Sequence, residues 1–135
     1  MSIKRIFYIL LCCSLLLCLL PCGCRKAPAT YVCITAEQAK ELMDSEEGYI
    51  ILDVRTQEEY DLGHIPGALL IPNEVIREQA EEQLTDKEQL ILVYCRSGRR
   101  SAMAAEKLKQ QGYTQLRDLK GYQEAAEVLK LPIVQ

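Results

Sequence analysis

The residues best equipped for chemistry stand together at Cys95-Arg96-Ser97-Gly98-Arg99-Arg100-Ser101, directly after the apolar run Gln89-Leu90-Ile91-Leu92-Val93-Tyr94. The run reads as a buried strand and Ala102 to Gln111 as a helix. Cys95 therefore falls at the carboxyl end of a strand, where parallel sheets bind their ligands, and this placement opens its sulfur to a site. Loop N–H groups curled against the helix N-terminus would form a concave positive nest. Arg96, Arg99 and Arg100 add permanent charge, and each of these effects favours thiolate over thiol. Cys95 is the candidate nucleophile, and Arg96, Ser97, Gly98, Arg99 and Arg100 are the candidate groups for an anionic substrate. The plainer alternative is a packed core thiol beside a solvated helix start. Three cations at the end of a helix whose dipole disfavours them argue instead for an anion.

The elements that must position this loop alternate along the chain. Short β-rich apolar runs are marked at Tyr31–Ile34, Tyr49–Val54, Leu69–Ile71, Gln89–Tyr94 and Gln115–Leu119. Between them lie stretches of helical period, which is the pattern of crossover connections in an α/β domain with a mainly parallel sheet. Thr35-Ala36-Glu37-Gln38 and Thr56-Gln57-Glu58-Glu59 each place Thr at a helix N-cap with Gln or Glu three residues on, two capping boxes. Further helices are predicted over Glu74–Leu84, over Ala102–Gln111 with Gly112 as its stop, and over Gln123–Leu129 with Pro132 as its stop. Asp53 and Arg55 close the second strand, and Glu59 in the next helix turn is near enough to Arg55 for a bidentate ion pair that supports the loop.

The first 24 residues are of another kind. Lys4 and Arg5 precede the uncharged stretch Ile6–Leu20, the layout of a secretory signal. Fifteen residues reach roughly 22 Å as a helix, short of the ~30 Å hydrocarbon core. Five of the seven cysteines lie in or at the end of this segment, so they are no disulfide framework for the domain. Leu19-Leu20-Pro21-Cys22-Gly23-Cys24 resembles a bacterial lipobox, with Cys24 the better candidate for lipidation and Cys22 its competitor. Residues 25–29 read as a tether and 30–135 as the domain. The expected location is the cell envelope, exported and lipid-anchored to the outer face of the cytoplasmic membrane. Without residues 1–24 the chain carries 14 Lys and Arg against 19 Asp and Glu, a net charge of −5, which gives no general attraction for nucleic acid or an anionic membrane.

The loop Cys95-Arg96-Ser97-Gly98-Arg99-Arg100-Ser101 resembles the active-site loop of rhodanese domains, in which a cysteine opens a six-residue cradle that ends at a helix. Leu52-Asp53-Val54-Arg55-Thr56-Gln57-Glu58-Glu59-Tyr60, Gly63-His64-Ile65-Pro66-Gly67-Ala68 and Ile71-Pro72 are similar to that family's other signature. These motifs and their connections span nearly all of residues 30–134. The resemblance implies an open parallel sheet of about five strands with helices on both faces. It also implies a sulfurtransferase, without cofactor, in which Cys95 carries a sulfane sulfur as a persulfide. Where the family's closing segment usually has a Gly-Gly pair and an aromatic, this chain has Lys120-Gly121-Tyr122. His64, the only histidine, is of the residue type that serves as a general base, but the resemblance implies a scaffold role. No Cys or His cluster at ligand spacing suggests a metal, and Cys33 reads as a buried strand residue.

The mechanism these readings converge on is a ping-pong transfer from an anionic donor such as thiosulfate to a thiol or cyanide, by a monomer. The loop amides would hold the persulfide charge, Arg96 and Arg100 would hold the donor, and Arg99 would face outward. A sulfur-relay or partner-binding module is the alternative. Phosphatase or arsenate chemistry is the weaker one, because cell-cycle phosphatases of the same fold place Arg six positions after Cys. Here that position is Ser101, with Arg100 one residue earlier.

Overall fold

The computed structural model describes residues 28–129 and 133–134. The apolar leader with Cys22 and Cys24, the first part of the 25–29 tether, and Pro132 lie outside the described residues.

The elements follow the order β1 Thr30–Cys33, α1 Ala36–Ser45, β2 Ile50–Asp53, α2 Gln57–Asp61, β3 Leu69–Leu70, α3 Ile76–Gln83, β4 Leu90–Cys95, α4 Arg99–Gln110, β5 Gln115–Gly121 and α5 Tyr122–Leu129. Local chemistry accounts for several of their ends. Both capping boxes form: Thr35 accepts from the Gln38 amide and Thr56 from the Glu59 amide, while each partner side chain returns to the Thr N–H. Gly112, at φ 94°, follows the last turn of α4 in the left-handed region that a helix stop requires. The strand boundaries sit within one or two residues of the expected ones. Two differences matter for the site. Helix α4 starts at Arg99 rather than Ala102, so Arg99 and Arg100 belong to its first turn, and β5 runs past Leu119 to Gly121.

The five strands are all parallel, in the order β1-β5-β4-β2-β3. The central strand β4 is buried along its whole length, as its unbroken Leu-Ile-Leu-Val-Tyr-Cys predicts for a strand covered on both faces. One cover comprises α3 and α4, whose Ile76, Ala80, Ala104, Ala105 and Leu108 pack on Leu52, Ile91, Val93 and Leu116. The other comprises α1, α2 and α5, with Ala39, Tyr60, Ala125 and Ala126 against Ile51, Leu92, Tyr94 and Leu119. The connection after β2 leads out to β3, whereas that after β4 leads the other way to β5. The carboxyl ends of β2 and β4 thus flank a topological switch point, where an open α/β sheet leaves a crevice.

Candidate active site

Cys95 is the last residue of β4, and Gly98 turns the chain into α4 at φ 92°. Gly98 is the N-cap of α4 and offers no side chain to it, so the first-turn amides lack the usual acceptor. The Cys95 sulfur takes that place. The Gly98 N–H donates to Sγ at 3.0 Å, and the Ser101 hydroxyl lies 3.7 Å away. Burial alone would raise the thiol. Bonds from the Ser101, Ser97 and Gly98 amides, together with the Ser101 side chain beside the sulfur, outweigh it, holding the Cys95 pKa below the ordinary thiol value.

The sulfur is nevertheless not open to solvent as the strand-end position suggested: Cys95 is 1% exposed. Its own loop covers it, because the same amides that bond Sγ must curl over it. Ser101, fully buried, was not among the candidate site residues. Its signal was present in the spacing, since the third residue of a helix with a glycine N-cap points its amide at whatever replaces the cap.

The arginines divide. Arg96 and Arg99 are exposed, as is Ser97. Arg100, expected on the donor anion, instead makes a bidentate pair with Glu59 at 2.5 and 2.8 Å. The Arg100 guanidinium holds the Glu59 carboxyl down to about 2, against the cost of burial. The expected Arg55–Glu59 pair is therefore absent. Arg55 turns back to Asp53, two residues away on the same side of an extended chain, with Nη2 2.7 Å from Oδ2 and Nε 3.0 Å from both oxygens. That pair is buried, Arg55 Nη2 also donates to the Gly63 carbonyl at 2.7 Å, and the guanidinium stacks 4.1 Å over the Tyr122 ring. Asp53, Arg55 and Glu59 support the loops, but through partners the linear spacing did not reveal.

Beside the loop lies a cleft of about 260 Å³ lined by Arg55, Glu59, Leu62, Arg96, Tyr122 and Gln123. Arg96 is the loop cation that faces it. Leu62 and Gln123 carried no chemical signal in the sequence and come to the cleft only through the fold, beside Tyr122, the aromatic of the closing segment. His64 stacks on Tyr60 at 3.6 Å between centroids, its Nδ1 3.0 Å from the Tyr60 carbonyl, and its backbone pairs with Val134. Cys33 is exposed rather than buried, because β1 is the sheet edge; its sulfur lies 3.5 Å from the Tyr31 hydroxyl. Among the described residues no group of three or more His, Cys, Asp or Glu is placed to hold a metal ion, and no helix is long and apolar enough to cross a membrane.

A family model described as a rhodanese-like domain matches residues 35–125. Thiosulfate sulfurtransferase PspE of Escherichia coli (strain K12) is 36% identical over 75 residues, which cover 56% of this chain and 72% of that protein. YrkF of Bacillus subtilis (strain 168), named as a candidate sulfur carrier protein, is 44% identical over 80 residues. These cover 59% of this chain, and the match spans only 42% of YrkF. Among solved structures, a rhodanese from E. coli with anions is 33% identical with a TM-score of 0.59, covering 65% of this chain and 99% of that one. The Alr3790 protein from Anabaena is 29% identical with a TM-score of 0.67, covering 75% and 90%. The parallel five-strand sheet, the cysteine loop between β4 and α4 and the match over residues 35–125 place the chain in the rhodanese-like domain family.

Proposed function

We propose that the chain is a sulfurtransferase that moves a sulfane sulfur from an anionic donor such as thiosulfate to a thiol or cyanide through a Cys95 persulfide. The observation that carries this reading is the amide cradle on Sγ, which favours the thiolate and would stabilise the same charge one atom further out. The thiolate attacks the outer sulfur of the donor. A new S–S bond forms at Cys95, the donor's S–S bond breaks, and sulfite leaves with the electron pair. The acceptor thiolate or cyanide then attacks the outer persulfide sulfur and returns Cys95 as thiolate. Neither step needs a cofactor. Arg96, at the cleft beside the loop, is the group that meets the donor's oxyanion. Because Cys95 is covered, the Arg96–Gly98 segment must part for donor and acceptor to enter. Intact-mass spectrometry after thiosulfate treatment is expected to show the gain of one sulfur, and Cys95→Ser to lose both this gain and transfer to cyanide. Full activity in that variant would defeat the mechanism.

The covered sulfur also favours a second reading, in which a docking protein opens the loop and the chain serves as a relay with little turnover on free small molecules. The relative YrkF is named as a candidate sulfur carrier protein, which agrees with a relay role. Steady-state turnover with a free thiol separates the two. We further propose that residues 1–24 export the domain and that lipidation of Cys24 tethers it to the membrane, on the strength of the apolar run and Gly23-Cys24. Fractionation of wild type and Cys24→Ala tests this, soluble release of the wild type counting against it.

A further inference from the structure

The end of β5 presses on the loop that covers the sulfur. A β-carbon built on Gly98 would stand 3.2 Å from the Lys120 β-carbon and 3.5 Å from its γ-carbon, so the stem of Lys120 lies directly against Gly98. Gly121 approaches the loop's other end, where a β-carbon would meet the Arg96 carbonyl oxygen at 3.2 Å. Both ends of the segment that must part are therefore in contact with one strand terminus.

Lys120 reaches this position in a conformation that lysine rarely adopts. At φ 64° it is the one non-glycine residue with positive φ among the described residues. Two features impose it. The β4–β5 register shifts after Val93↔Asp118, so that Leu119 is passed over and Tyr94 pairs with Lys120. Asp118, buried, accepts the Lys120 N–H at 2.8 Å on one oxygen and the Tyr31 hydroxyl at 2.8 Å on the other. Glycine would meet the same backbone requirement without strain, so what lysine adds here is its side chain.

We propose that Lys120 is the access-determining residue of this site: its stem holds Gly98 in place and keeps the Cys95 sulfur covered, so that reactants reach it only when this contact parts. The proposal rests on Cys95 being the reacting sulfur. Such a cover shields a lone thiolate from oxidation beyond the sulfenic stage, to which an accessible low-pKa cysteine is prone. Asp118 is a positioning residue that acts through Lys120.

The test is the rate of alkylation by iodoacetamide in the full chain, followed by mass spectrometry on the peptide that carries Cys95, together with thermal unfolding. Lys120→Gly removes the stem and suits φ 64°, so alkylation is expected about tenfold faster than in wild type with an unfolding midpoint at or above the wild-type value. Lys120→Met keeps an unbranched stem and is expected to alkylate at the wild-type rate. A Lys120→Gly rate within about twofold of wild type overturns the proposal. So does a fast rate with a lowered midpoint, since the opening would then be global, and so does Lys120→Met alkylating as fast as Lys120→Gly. Alkylation needs no sulfur donor. A failed latch with a persulfide still formed by thiosulfate is thus distinct from a failed persulfide with the latch intact.

Discussion

At the residue scale, the sulfur of Cys95 fills the role of a missing helix cap. Gly98 leaves the first-turn amides of α4 without an acceptor, and Sγ supplies one. The Ser101 hydroxyl, 3.7 Å from the sulfur, adds a neutral dipole to the same cradle. Since the folded pKa is lowered, the thiolate stabilises the fold above the unfolded thiol range, and this is lost as pH falls through the folded value. Ser101→Ala removes the hydroxyl and keeps the amide. Its Cys95 alkylation profile is expected to shift to higher pH, because one of the groups that lowers the thiol is lost. An unmoved midpoint would assign the whole effect to the amides.

At the element scale, Glu59 ties two helices together. One carboxylate accepts the Thr56 N–H at the start of α2 and both nitrogens of Arg100 in the first turn of α4. The starts of α2 and α4 are thereby held as one unit across the switch point. Glu59→Gln keeps the capping geometry but loses the ion pair, and is expected to cost about 2 kcal/mol at neutral pH in urea unfolding. The sign of the pH dependence follows from the lowered carboxyl. The wild-type advantage is complete above the ordinary glutamate range and fades as pH falls from 4.5 toward about 2. A difference that stays constant over that window would show that charge is not the source.

At the scale of the whole molecule, the sheet separates two apolar clusters, and β4 serves both. Ile91, Val93 and Cys95 face one cluster, Leu92 and Tyr94 the other. The strand that carries the sulfur is thus anchored from both sides. Leu92 is fully buried in the second cluster. Leu92→Ala is expected to destabilise the domain by about 3 kcal/mol, read as a lower urea midpoint with an unchanged slope. A cost below about 1 kcal/mol would mean that the second cluster collapses around the void.

The alternation of elements, both capping boxes, the Gly112 stop and the cysteine at a strand end were legible in the chain itself. Each depends on residues within about one turn or one strand of each other, where period and capping chemistry act directly. Three features were not legible: the partner of Glu59, the covering of the Cys95 sulfur, and the place of Lys120 against Gly98. The first and the last depend on which strands lie side by side. Setting β4 between β2 and β5 brings Arg100 to Glu59 and Lys120 to Gly98, residues separated by 41 positions in the first case. Local pattern specifies a strand and its faces but not its neighbours, so only the assembled sheet decided these contacts.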